Sequence, residues 1–186
     1  MKVSYNWLKD YIDIDKPVDE VSEILTNLGL EVENVEDFES IKGSLEGIIV
    51  GEVLSCKKHP NADRLILTNI DLGKEGKFKI VCGAPNIAKG QKVPVATVGS
   101  VIYTKSGEKI KISKSKIRGV VSNGMVCAEN EIGLGNSHDG IMVLDEKIKP
   151  GTLLSKIFEV ESDKILEIGL TPNRSDAMSH FGVARD

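Results

Sequence analysis

The chain has few aromatic residues, and this limits any binding that depends on stacking against aromatic rings. Phe, Tyr and Trp together make up 4% of its 186 residues. Between Ile48 and Leu144 the aromatic residues are Phe78 and Tyr103 alone, and Phe78 lies in an alternating pattern that favours a core position. An aromatic platform contributes about 1 to 3 kcal/mol for each stacked base. We therefore expect single-strand binding by this part to be weak and mainly electrostatic.

Cysteine is also scarce. Cys56, Cys82 and Cys127 are odd in number and far apart, which argues against a disulfide framework or a zinc ribbon and favours a reducing compartment. The three histidines share no metal-ligand spacing with these cysteines. We expect each histidine to be a surface or turn residue.

Long apolar runs and the short motifs of common enzymes are absent as well. No apolar run reaches 18 residues, and the N-terminus lacks the basic and apolar regions of a signal peptide. The sequence contains no GxGxxG, GxxxxGKS/T or HExxH motif. These absences predict a cytoplasmic protein with no membrane contact and no catalytic centre of its own.

Charge is divided unevenly along the chain. Residues 40–151 contain 17 Lys and Arg against 11 Asp and Glu, a net charge of +6. The flanks, residues 1–39 and 152–186, contain 7 basic and 17 acidic residues, a net charge of −10. A basic middle between acidic ends indicates a polyanionic partner for the middle and makes the ends poor candidates for the same role.

The basic charge is densest in residues 105–118. Lysines and isoleucines alternate over residues 109–112, as in a strand with one buried face. Lys114, Lys116 and Arg118 then follow at every second position. On an extended backbone they would leave one side roughly 6 to 7 Å apart, since each residue rises about 3.3 Å, close to the spacing of successive phosphates. The alternative is a solubilising surface or a sheet edge protected by lysines.

The acidic ends have the patterns of a small α/β unit. Ser4 is placed to cap a short amphipathic helix that carries Trp7, Leu8, Tyr11 and Ile12. A second helix is predicted from Pro17 to a C-terminal Gly29, followed by a strand.

After residue 152 acidic residues again outnumber basic ones. Residues 153–158 are predicted as a short helix, residues 165–170 as a central strand, and Ser175 as the cap of a final helix. That helical pattern is still running at Asp186, so we expect the chain to be a segment of a longer polypeptide.

The middle of the chain consists of short apolar or alternating runs separated by Gly, Pro, Asn and Asp. Such runs suit a small closed barrel, because closure removes exposed sheet edges. We predict an α+β protein in which a small closed β-barrel of five or six short strands, residues 40–151, is inserted into a split α/β domain made of residues 1–39 and 152–186. An SH3-like barrel or a sandwich is compatible with the same pattern.

Four motifs in the middle occur in the order of a known domain family. They are HPNADRL (59–65), VCGAPN (81–86), SKSKIRGVVSNGMVCAENEIGL (113–134) and DGIMVL (139–144). With them the middle resembles the OB-fold tRNA-binding domain shared by beta subunits of bacterial phenylalanyl-tRNA synthetases, some methionyl-tRNA synthetases and free-standing tRNA-binding proteins. The ends, MKVSYNWLKDYI with NLGLEVENVE, and LEIGLTPNRSDAMSHFGVARD, resemble the phenylalanyl-tRNA synthetase beta subunits. The resemblance covers essentially the whole chain, and it implies that the inserted barrel is a five-stranded OB-fold β-barrel.

This resemblance implies a place in an assembly of two alpha and two beta subunits that joins phenylalanine to its tRNA with ATP and Mg²⁺. In that family adenylation takes place in the alpha subunit, and proofreading takes place in beta-subunit domains beyond residue 186. The resemblance therefore implies tRNA and the alpha subunit as partners, and no catalytic, metal or cofactor residue in this chain.

The predicted tRNA contact uses the cations of two segments: Lys114, Lys116 and Arg118, helped by Lys57, Lys58 and Arg64. If three to five phosphates are neutralised, the slope of log K against log salt should be about −2 to −3.5, from roughly −0.7 per contact on single strands. Two alternatives are a free-standing tRNA-binding protein and a purely structural module that braces the synthetase.

Overall fold

The computed structural model describes residues 1–104 and 106–186. Lys105, the first residue of the basic stretch, lies outside the described residues. In chain order the regular elements are β1 (Lys2–Ser4), α1 (Tyr5–Leu8), α2 (Val18–Asn27), β2 (Glu31–Glu39), β3 (Ile48–His59), β4 (Ala62–Asp71), β5 (Lys77–Cys82), β6 (Lys92–Ala96), β7 (Val101–Tyr103), β8 (Lys109–Lys111), β9 (Ser115–Ile117), β10 (Val120–Ser122), β11 (Met125–Val126), β12 (Ser162–Gly169) and α3 (His180–Arg185). None of the helices in this described part is long and apolar enough to span a membrane.

The chain forms two compact units. The split unit joins Met1–Ser40 to Glu161–Asp186, and the inserted unit is Ile41–Val160. The split unit has 6 basic and 16 acidic residues, a net charge of −10, whereas the inserted unit has 18 and 12, a net charge of +6. Residues 152–160, which the sequence pattern placed with the ends, belong to the inserted unit because Leu154 is fully buried in its core.

The split unit is built on a three-stranded antiparallel sheet in the order β1, β12, β2. The strand predicted over residues 165–170 is confirmed as its central strand, β12. Leu166 and Ile168 from β12 are fully buried, and they form one core with Leu25 of α2 and Val183 of α3. As the central strand, β12 buries this apolar row against the helices.

The end of α2 follows the pattern predicted from Gly29. Gly29 has a φ of 87°, a conformation that costs a residue with a Cβ roughly 1 to 2 kcal/mol. Its N–H donates to Thr26 O at 3.0 Å, and the Leu30 N–H donates to Leu25 O at 2.9 Å. This pair of bonds is the Schellman motif, and it directs the chain into β2.

The first and last helices differ from the prediction. Ser4 caps α1 as predicted, since its Oγ accepts the Trp7 N–H at 3.0 Å, but α1 ends at Leu8. The last helix begins after Ser179, whose Oγ accepts the Gly182 N–H at 3.0 Å, and Ser175 instead starts a single 3-10 turn. The two turns pack so closely that a Cβ on Gly182 would lie 2.4 Å from Asp176 O, and a continuous helix from Ser175 does not form.

The inserted unit is built on a five-stranded antiparallel sheet in the order β11, β6, β3, β4, β5. The β7–β8 and β9–β10 hairpins form two further two-stranded sheets. The predicted α+β class is therefore confirmed. Strand pairing among the described residues does not close the five strands into a barrel. The segment predicted as a helix over residues 153–158 contains one 3-10 turn, Leu154–Lys156.

Buried side chains of the inserted unit form two clusters on either side of β3 and β6. One contains Val53, Ile70 and Ile80, and the half-buried Phe78 packs against it, so the core position predicted for Phe78 is confirmed. Cys127 lies in the other cluster, and burial raises the pKa of its thiol to about 12. A thiol with such a pKa stays protonated at neutral pH and is a poor nucleophile.

His180 gives the split unit a pH-dependent contact that can be measured. Its Nε2 accepts the Ser4 N–H at 2.9 Å, and its ring lies 4.2 Å from that of Trp7. Burial lowers the pKa of His180, an effect that the charge of Asp163 opposes. The folded state therefore favours the neutral ring, and unfolding takes up a proton in weak acid.

We expect the free energy of unfolding to fall as the pH drops below about 6.5, the ordinary pKa of histidine, toward the lower pKa of the folded state. His180→Gln keeps a hydrogen-bond acceptor but does not titrate, so it should lack this part of the decrease. Urea unfolding followed by the fluorescence of Trp7, the single Trp of the chain, at pH 7.5 and 5.5 measures the difference. Equal pH dependence in the two proteins would contradict the assignment.

Candidate nucleic-acid interface

The first group of predicted cations lies on the β9–β10 hairpin. Ile117 pairs with Val120 across a two-residue turn made of Arg118 and Gly119. Arg118 has a φ of 47° and Gly119 a φ of 96°, and positive φ at both central positions is typical of a type I′ hairpin turn. Lys114 precedes β9, Lys116 lies within it, and both are exposed, as is Arg118.

The predicted single row of three cations is therefore wrong at Arg118. The strand predicted over residues 109–112 is present as β8, with Ile112 buried. After Ser115–Ile117, however, the chain reverses at Arg118, because Gly119 permits a tight turn that an extended reading overlooks. Arg118 lies at the hairpin tip, and the three cations belong to one hairpin instead of one strand face.

The second group lies at the end of the β3–β4 hairpin. His59 pairs with Ala62 across a turn made of Pro60 and Asn61, and Lys58 pairs with Ile66. The register shift between these pairs places residues 63–65 in a bulge, where Arg64 is exposed. Neighbouring residues of a strand point to opposite faces, so the exposed side chains of residues 57 and 58 leave β3 in different directions. The described residues contain no ion pair between Asp63 and Arg64, a pair that the HPNADRL motif suggests.

The structure brings the two hairpin tips into contact. His59, which is 5% exposed, lies with its Nε2 3.2 Å from Ile117 O. The Asn61 Nδ2 donates to Arg118 O at 3.4 Å. Both predicted groups of cations are therefore carried by adjoining hairpins. His59, expected as a surface or turn residue, is the buried last residue of β3.

The base of the β9–β10 hairpin is attached to β5. The Val81 N–H donates to Ser122 Oγ at 3.1 Å, and the Asn123 N–H donates to Lys79 O at 2.9 Å. Ser122 Oγ in turn donates to Gly124 O at 3.0 Å. These bonds hold the hairpin beside the sheet, and a groove of about 360 Å³ separates the two.

This groove adds one cation that the sequence reasoning did not name. Its floor includes Leu67, Val81 and Val121, and Lys57 and Lys79 line it as well. Lys79 is exposed, and in the pairing of β5 with β4 it lies opposite Asn69. The alternation KFKI in β5 was the available signal, because it places lysines opposite the core residues Phe78 and Ile80.

Residues 48–153 match the family described as putative tRNA binding domain. The chain belongs to this family. The matched residues include both hairpins and the groove. The candidate interface thus lies within the matched tRNA-binding domain.

Curated relatives match the whole chain. It is 56% identical to the phenylalanine–tRNA ligase beta subunit of Bacteroides fragilis, 53% identical to that of Bacteroides thetaiotaomicron and 49% identical to that of Porphyromonas gingivalis. Each alignment covers 100% of this chain and 23% of the relative. The chain thus spans about a quarter of the length of these relatives.

The six predicted cations of the tRNA-binding domain are exposed. Within residues 1–104 and 106–186, the six predicted cations form no salt bridge to a carboxylate, in contrast to Lys92, which pairs with Glu52 across β6 and β3. The described residues that line the groove include no aromatic side chain. Tyr103 is half-buried, with Lys42 Nζ 5.4 Å from its ring centre. The surface is thus suited to charge attraction more than to base stacking.

Charge reversal separates this surface from general surface charge. We expect Lys114→Glu, Lys116→Glu and Arg118→Glu together to reduce the magnitude of the slope of log K against log salt for tRNA by about 2, from about −0.7 per phosphate contact. A matched control reverses Lys74, Lys89 and Lys147, which are exposed in other loops of the same unit. Filter binding between 50 and 200 mM salt measures both variants, and equal slopes for the two would refute the assignment.

Proposed function

We propose that this chain is the N-terminal part of the beta subunit of a phenylalanine–tRNA ligase, and that its inserted unit gives auxiliary tRNA contact. The observation that carries the proposal is the contact between two hairpins with exposed cations inside the region that matches the tRNA-binding domain family. The relatives support the choice of enzyme, because their names describe that subunit and the similarity includes the split unit as well as the inserted one.

The inserted unit, in this proposal, is a five-stranded OB-type barrel. Support comes from the Asn123 N–H, which donates to Lys79 O. This bond holds the segment that connects β10 to β11 against β5. The two outermost strands of the sheet, β11 and β5, are therefore close to each other in space. A closed barrel leaves few open sheet edges, and it presents its hairpins and one outer face to a ligand.

Binding by this surface is electrostatic and tolerant of sequence. Lys and Arg neutralise phosphates and release counterions, and such contacts position a nucleic acid without reading its bases. The net charge of −10 on the split unit repels RNA, whereas the +6 of the inserted unit attracts it. The tRNA contact is therefore restricted to one part of the chain.

The chemistry of charging takes place outside this chain. The described residues contain no group of three or more His, Cys, Asp and Glu side chains that could hold a metal ion. In this proposal Mg²⁺ and ATP are bound by other parts of the synthetase. Both act, in this proposal, in the complete cytoplasmic enzyme, where the alpha subunit is the partner that carries adenylation. The residues of this chain bind and orient the tRNA.

The complete synthetase provides the test. We expect the charge reversal at Lys114, Lys116 and Arg118 to raise KM for tRNA about tenfold in aminoacylation, a change that corresponds to about 1.4 kcal/mol of binding free energy. The rate of phenylalanine-dependent ATP–pyrophosphate exchange, which does not need tRNA, should stay unchanged.

The reversal at Lys74, Lys89 and Lys147 is the control and should leave KM for tRNA as in the parent enzyme. If both triple variants charge tRNA with parental KM, the inserted unit is a structural module. If the isolated chain binds tRNA fully, and its presence adds nothing to tRNA binding by the complete enzyme, the chain is better described as a free-standing tRNA-binding protein.

A further inference from the structure

We infer that His59 and Asn61 are positioning residues that join the two basic hairpins into one phosphate-binding surface. This inference rests on the proposed function. In this inference, neither His59 nor Asn61 contacts phosphate through a charged group. Their part is to fix the position of Lys114, Lys116 and Arg118 relative to the cations of the β3–β4 hairpin.

The hydrogen bonds assign one protonation state to His59. Its Nδ1 accepts the backbone N–H of Asn61 at 3.0 Å, so Nδ1 carries no proton. The proton is then on Nε2, which donates to Ile117 O at 3.2 Å. A neutral histidine in this tautomer bridges the turn of one hairpin to the last strand residue of the other.

Asn61 extends the same contact by one residue. It is exposed, and its Nδ2 donates to Arg118 O at 3.4 Å. Arg118 and Gly119 form the turn, and the nearest atom to a Cβ on Gly119 would be Asn61 Nδ2 at 3.7 Å. The two side chains therefore hold the carbonyl groups of two successive peptides of the tip, Ile117–Arg118 and Arg118–Gly119.

The tip needs this support because the other attachments of the hairpin are at its base. Ser122 and Asn123 bond to β5, and β9 and β10 are three residues each. An isolated two-stranded hairpin is marginally stable in water. Without His59 and Asn61 the base would stay on β5 while Arg118 and Lys116 moved relative to β3.

A fixed distance between the two groups of cations increases their joint affinity. Two groups on hairpins that move independently bind phosphates as separate weak sites, and each pays its own ordering cost on binding. Two groups held in one surface pay that cost during folding, and the second contact becomes intramolecular with a high effective concentration. We therefore expect their contributions to tRNA binding to be coupled.

The test is a double-mutant cycle measured in two backgrounds. One triple variant neutralises Lys57, Lys58 and Arg64 with alanine, and the other neutralises Lys114, Lys116 and Arg118. In the parent chain the combined loss of tRNA affinity should differ from the product of the two separate losses by about fivefold or more. In the His59→Leu background the losses should multiply within about twofold, and the affinity before neutralisation should be three- to tenfold lower.

Two further variants keep the test valid if His59→Leu unfolds. Asn61→Ala removes one exposed side-chain bond, and it should lower the coupling in the same direction with an unchanged melting temperature. His59→Gln retains a side-chain N–H donor and should restore part of the coupling. Gln91→Ala is the control, because its amide bonds Ala88 N–H and Asn86 O in another turn of the same unit, and it should leave the coupling unchanged.

The outcomes distinguish this inference from the proposed function. If the parent chain shows coupling and a folded Asn61→Ala or His59→Leu variant retains all of it, the positioning role is overturned and the tRNA-binding role stands. If the parent affinity for tRNA responds to neither triple neutralisation, the proposed function fails first. If His59→Gln loses as much tRNA affinity as His59→Leu, the positioning role is also overturned, because the loss would then not depend on the hydrogen bond donated to Ile117 O.

Discussion

The double pairing of β3 is the constraint on which the rest of the inserted unit depends. This strand pairs with β6 over Ile48–Glu52 and with β4 from Glu52 onward. The strand crosses the core so closely that a Cβ on Gly51 would lie 2.4 Å from the Ile70 side chain. The first half of β3 is held by β6 and the second half by β4, so the turn that follows β3 has a fixed position. The tip of the β9–β10 hairpin is bonded to that turn and to His59 before it, and its position follows from them.

Division of charge between the two units gives this geometry its functional meaning. The acidic side chains of the split unit are partly used within it, as in the pairs of Lys2 with Glu36 and Lys164 with Asp37. Such exposed pairs contribute little to stability, but they reduce the positive charge that the split unit shows to RNA. The hairpin cations of the inserted unit have no such partners among the described residues, so their attraction for phosphate is retained.

Much of the fold could be predicted from local patterns, and the candidate site could be predicted only in part. Gly29 and the apolar row of β12 were sufficient to locate α2 and the central strand, since both signals depend on near neighbours in sequence. The reversal at Arg118 was missed because the alternation of cations continued through it and only Gly119 marked the turn. The contact of His59 with Ile117 joins residues 58 positions apart, and no local pattern carries that information.

The central claim is that tRNA contacts the two joined hairpins and leaves the acidic split unit untouched. A map of backbone amide shifts of the chain during titration with tRNA tests this claim most directly, because every described non-proline residue reports separately. We expect the largest changes in residues 57–66, 79–81 and 114–121. They should appear together at one tRNA concentration, and raised salt should reverse them. Changes centred on α1, α2 or β2, or changes in one hairpin at a tRNA concentration that leaves the other unaffected, would contradict it.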